Sequence, residues 1–62
     1  MSEEKMSAKE YNFWVSAIEA ANGLDDKEKA KDTLKSIHMQ LAAKFGYIDD
    51  VKALLKKFRY DV

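Results

Sequence analysis

The stretch Leu34–Leu55, LKSIHMQLAAKFGYIDDVKALL, decides how this chain folds. Leu34, Ile37, Leu41 and Phe45 recur at three- and four-residue steps and so share one face of a helix, with Ala30 extending that face upstream and Ala42 beside it. Phe45-Gly46 interrupts the pattern. Val51, Leu54, Leu55 and Phe58 then restart it after Asp49, a residue type suited to capping a helix, with Asp50 in the first turn. Nothing in the stretch alternates with the two-residue period of a strand. The spacing predicts two helices joined by a tight turn, with the remainder of the chain packed onto them.

Upstream, Ser7 and Glu10 have the three-residue spacing of a capping box, which predicts a helix starting near Ala8. Tyr11, Trp14, Val15, Ile18 and Ala21 form its apolar face, and Phe13, Ala17 and Ala20 widen that face to one side. Asn22-Gly23 ends it, with Gly23 suited to a left-handed position and Leu24 expected to fold back as a hydrophobic clasp. An Asn-Gly pair also favours a hairpin turn between strands, but neither flank alternates, so a helix stop is the better reading. Asp25 or Asp26 caps the next helix. Its first part, DDKEKAKDT, is nearly all charged and reads as a solvated arm, with Asp25 and Lys29 four residues apart. The expected helices are 8–22, 25–45 and 49–59, in an all-α, three-helix domain spanning 1–62. In it a short first helix packs on the hairpin, and 1–6 form a flexible leader. The expected core is Trp14, Ile18, Leu34, Ile37, Leu41, Phe45, Val51, Leu54, Leu55 and Phe58.

Composition narrows the function classes. Sixty-two residues lie near the lower limit for folding without a staple, and the absence of cysteine removes both the disulfide and the thiolate zinc site. Eleven basic side chains balance eleven acidic ones, whereas nucleic-acid binders usually carry a basic excess. No apolar run precedes Tyr11 and none approaches the ~20 residues of a membrane span, so neither a secretory signal nor a membrane partner is expected and the chain reads as cytoplasmic.

Two local resemblances follow from the turn. Leu41-Ala42-Ala43-Lys44-Phe45-Gly46-Tyr47 resembles the first half of a DNA-binding helix-turn-helix, in which a small residue four places before the turn glycine admits a steeply packed second helix. The would-be recognition helix, however, opens on Asp49 and Asp50, which would meet phosphate with like charge. Ala42 to Leu55, AAKFGYIDDVKALL, is similar to the helix-turn-helix of an ankyrin repeat at Ala42, Ala43, Gly46, Asp49, Val51, Leu54 and Leu55. That repeat's Thr-Pro-Leu-His turn is absent, His38 falls two positions too early for its histidine, and there is one copy where about three are needed. No function is carried over from either resemblance.

No catalytic constellation stands out. His38 flanks the apolar stripe and reads as a core-edge residue; Asp25-Asp26 and Asp49-Asp50 fall at helix starts, where capping accounts for them. No enzyme activity, cofactor or metal is expected. The aromatic residues rise above background: Tyr11, Phe13, Trp14, Phe45, Tyr47, Phe58 and Tyr60 are seven in a chain whose core has room for few. Any left exposed would serve as binding anchors, since Trp and Tyr dominate interface hot spots. Phe13, off the main stripe, is the first candidate, followed by Tyr47, Tyr60 and Tyr11, with the charged arm from Lys27 to Lys35 as polar rim. The expected function is therefore a small protein-binding module, a regulator, inhibitor or adaptor, whose partner is another protein or a second copy of itself. The alternative is nucleic-acid binding through Lys44, Lys52, Lys56, Lys57 and Arg59.

Overall fold

The computed structural model describes residues 6–60 and contains three helices. Helix α1 spans Ala8–Asn22, α2 Lys27–Phe45 and α3 Asp49–Leu55. Each start has a local cause. Ser7 Oγ accepts the Glu10 amide at 3.1 Å while Glu10 Oε1 accepts the Ser7 amide at 3.2 Å, the reciprocal capping box. Asp26, not Asp25, caps α2: its Oδ1 accepts the Glu28 amide at 2.9 Å and the Lys29 amide at 3.4 Å, so the helix begins two residues later than the charge run suggests. Helix α3 has no side-chain cap at all. Its N-cap is Ile48, and Asp49 is already helical, so Asp49 and Asp50 act on the helix dipole and not as caps.

The helix ends bring further corrections. Gly46 takes φ 74°, ψ −164° and its amide reaches the Ala42 carbonyl at 2.9 Å, closing α2. Gly23 does not adopt the expected left-handed conformation: φ is −88° and ψ 0°, and its amide bonds the carbonyls of Glu19 and Ala20 within the last turn. Leu24 is 40% exposed and does not clasp the helix. Helix α3 stops at Leu55, four residues short of the expected end. The amides of Lys57 and Phe58 instead reach back three residues, to Leu54 and Leu55. Beyond them Asn22 clamps the chain: its Nδ2 donates to the Lys57 carbonyl at 3.0 Å, and its Oδ1 accepts the Arg59 amide at 3.1 Å. A partner 35 to 37 residues away thus takes over the backbone groups that would have continued the helix.

Helices α1 and α2 share the largest interface, and the 7-residue α3 packs against both. The first helix, 15 residues long, thus packs on the α2–α3 hairpin as expected, and α3 is shorter still. Trp14, Ile18, Leu34, Ile37, Leu41, Val51 and Leu54 are buried in the common core; Phe45, Leu55 and Phe58, expected beside them, are half-buried at its margin. Met6 joins this core at 8% exposure, so the expected flexible leader is corrected at that residue; 1–5 lie outside the described residues. Among the described residues no polar or charged side chain is buried, so burial is entirely apolar.

Candidate functional site

The core takes fewer aromatic rings than the chain supplies. Trp14 is buried, and Tyr11, Phe45, Phe58 and Tyr60 are half-buried against the core. Phe13 and Tyr47 stay out, at 63% and 57% exposure, together with Met39 at 63% and Leu24. Leu24 stands in the turn between α1 and α2, and the other three divide between two surfaces.

The first surface is on α1. Phe13 meets the Trp14 ring edge-on at 5.1 Å between centroids, so it also covers the rim of a core residue. Phe13 lies nine residues before Asn22, about two and a half turns of helix. Since Asn22 faces the segment after α3, Phe13 points to the opposite side of α1.

The second surface is a trough along α2, about 490 Å³ in volume, lined by Lys35, His38, Met39, Ala42, Ala43 and Tyr47. Lys35, Met39 and Ala43 form one four-residue row, and His38 and Ala42 the next, so α2 carries a second apolar stripe beside its buried one. Tyr47 closes the far end. Its hydroxyl shares a 3.0 Å hydrogen bond with His38 Nε2, and the two rings meet edge-on at 5.8 Å. His38 is half-buried and in turn lies edge-on to Phe58 at 6.5 Å. A large exposed ring is thus held in place by a packed neighbour, which lowers the ordering cost of binding through it. His38 proves to be the support of this tyrosine as well as a core-edge residue.

Of the other expected anchors, Tyr11 lines a separate recess of about 380 Å³ with Met6, Ser7, Ala8, Asn12 and Asp50, and Tyr60 packs on the core. The structure does not bring Phe13, Tyr11, Tyr47 and Tyr60 into one patch. Sequence reasoning missed Met39 and Ala43. Their signal was present in the spacing, but the stronger stripe through Leu34 and Leu41 drew the reading of α2.

The basic residues also divide. Lys52 and Lys56 stand one turn apart at α3, and Lys57 and Arg59 follow in the segment held by Asn22, all exposed. Lys44, also exposed, belongs to the row of α2 that carries Ser36 and Gln40, whose side chains bond at 3.2 Å. Among the described residues, no three His, Asp or Glu side chains converge as a metal site, and no helix is long and apolar enough to cross a membrane. No family model, curated protein or solved structure matches this chain.

Proposed function

We propose that this chain is a small non-catalytic module of the cytoplasm that works by binding another protein, as a regulator, inhibitor or adaptor. The observation that carries this reading is Tyr47: a ring 57% exposed, beside the equally bare Met39, yet fixed through its hydroxyl to His38. Exposed large apolar side chains cost solubility, and holding one rigid is useful when the ring is an anchor for a partner. The trough beside it has a mostly apolar surface with the small residues Ala42 and Ala43 in its lining, which suits an apolar helix laid into it. Phe13 offers a second contact on the far side of α1. Its edge-on contact with Trp14 gives it a packing role as well, so Tyr47 ranks first.

The test is capture from native lysate with the tagged full chain, its Tyr47→Ala and Phe13→Ala variants, and nuclease-treated controls. A stoichiometric protein that survives nuclease and is lost with Tyr47→Ala supports the reading. Loss with Phe13→Ala alone moves the site to α1. Capture that disappears with nuclease replaces the reading with nucleic-acid binding, for which Lys52, Lys56, Lys57 and Arg59, exposed on α3 and the segment after it, are the first residues to substitute.

A further inference from the structure

Asn22 is followed by Gly23, and an asparagine in front of glycine loses its side-chain amide more readily than in front of any bulkier residue. Glycine has no Cβ to obstruct its own backbone nitrogen, so that nitrogen can reach the neighbouring carboxamide. We propose that Asn22-Gly23 is a site of spontaneous deamidation which the fold holds closed, and that its reaction releases the segment after α3. The side chain that reacts is also the one that clamps that segment. The reaction therefore waits for the clamp to open, and then prevents it from closing again.

The step needs water and no other reactant. The Gly23 nitrogen, on losing its proton, bonds to Asn22 Cγ and closes a five-membered succinimide ring. The bond from Cγ to Nδ2 breaks, and Nδ2 leaves as ammonia with the proton that Gly23 gave up. Water then cleaves one of the two ring C–N bonds, at Cγ to leave aspartate or at the Asn22 main-chain carbonyl to leave isoaspartate. Nothing is oxidised or reduced; a carboxylate replaces the carboxamide.

In the folded chain both reacting groups are engaged. The Gly23 amide donates to the carbonyls of Glu19 and Ala20 at 3.1 and 3.2 Å, which keeps its proton in place and turns the nitrogen towards the last turn of α1. The carboxamide is held at both ends, Nδ2 on the Lys57 carbonyl and Oδ1 on the Arg59 amide. Attack requires the last turn of α1 to fray and the segment from Lys57 to Arg59 to lift with it. That is a local opening, less costly than unfolding the core.

The product cannot restore the clamp. A carboxylate has no hydrogen to donate, so the Lys57 carbonyl loses its donor and meets a negative charge. In isoaspartate the main chain is also one methylene longer, and neither bond re-forms in place. The new charge sits at the C-terminal end of α1, in a last turn without a basic residue, where the helix dipole disfavours it. The two bonds bracket Phe58, whose ring lies edge-on to His38 at 6.5 Å. The released segment is thus the one packed behind the support of Tyr47.

The experiment is incubation of the full chain in mildly alkaline buffer, folded and in urea, with peptide mass spectrometry following each asparagine. Asn12 is an internal control, because the Phe13 side chain crowds the nitrogen beside it. In urea Asn22 should convert far faster than Asn12, and Gly23→Ala should slow it. Folding should slow conversion at Asn22 at least about tenfold. Arg59→Pro removes the amide that Oδ1 accepts and leaves Asn22-Gly23 intact, so several-fold of that protection should be lost. Arg59 is exposed and lies beyond α3, so the helices should persist in this variant, and circular dichroism checks that they do. The deamidated chain, separated by its added charge, should exchange the Arg59 amide faster than the parent while the amides of α1 around Trp14 stay protected. Asn22 as inert as Asn12 in urea overturns the proposal. So does a rate indifferent to folding or to Arg59→Pro, or an unchanged Arg59 amide in the deamidated chain.

Discussion

Gly46 and Gly23 both follow a helix, and their backbones call for opposite consequences on substitution. At φ 74°, ψ −164° Gly46 occupies a region that is almost exclusively glycine's, and a Cβ there would meet nothing within 4 Å. The cost of Gly46→Ala is therefore backbone strain, about 1–3 kcal/mol in a denaturant melt. Gly23 sits at φ −88°, ψ 0°, where an added Cβ would touch the Glu19 carbonyl oxygen at an ordinary 3.5 Å. Gly23→Ala should be neutral or stabilising by up to about 1 kcal/mol, through the lost freedom of the unfolded chain. A destabilised Gly23→Ala would show that the turn before α2 has a different backbone. At Leu41, fully buried towards the C-terminal end of α2, truncation to alanine should cost about 2–5 kcal/mol by lost burial and a residual cavity. A melting curve little changed by that substitution would mean that the faces of α2 are misassigned.

The three helices start for different reasons, and that difference can be measured. Helices α1 and α2 have side-chain caps, so Ser7→Ala and Asp26→Ala should each cost about 1 kcal/mol. Asp25→Ala should cost much less, because Asp25 accepts neither of the amides that Asp26 holds. Helix α3 begins on Ile48 without a cap and has only the favourable position of Asp49 and Asp50 on its dipole, about 0.3–1 kcal/mol each at an exposed site. It is seven residues long, too short to be helical by itself, and tertiary packing sustains it through Val51 and Leu54. Its far end depends on Asn22. Asn22→Ala removes both hydrogen bonds to the segment after α3, at about 1 kcal/mol or somewhat more. Hydrogen exchange at the Arg59 amide is the direct reporter: it should accelerate in the variant while the amides of α1 keep their protection.

For the whole molecule, the core is apolar throughout among the described residues, with Trp14 and Ile18 from α1, Leu34, Ile37 and Leu41 from α2, and Val51 and Leu54 from α3. Each helix contributes to one shared cluster and none has a core of its own, so unfolding should be a single cooperative event. Trp14, the one tryptophan and 8% exposed, reports it by fluorescence, and its transition should coincide with loss of helix by circular dichroism. Two separate transitions would show that α3 melts independently of the α1–α2 pair.

By itself, the sequence determined the number of helices, the buried face of each and the residues at the centre of the core. Those features follow from local causes: the 3.6-residue period of Leu34, Ile37 and Leu41, the Ser7–Glu10 box, and the Phe45-Gly46 stop. What lay beyond it was decided by partners distant in the chain. The end of α3 depends on Asn22, 35 residues away from Lys57. Met6 is buried because the assembled helices offer it an apolar surface, which no local pattern around it announces. Phe13, Tyr11, Tyr47 and Tyr60 read alike as surplus aromatics; only packing places Tyr11 and Tyr60 against the core and leaves Phe13 and Tyr47 outside, on different surfaces. The exposed stripe through Met39 and Ala43 was written in the same spacing as the core, but periodicity gives a face without saying what covers it. Which of two apolar faces meets the core is a property of the whole fold, because it depends on where the other two helices find room to pack.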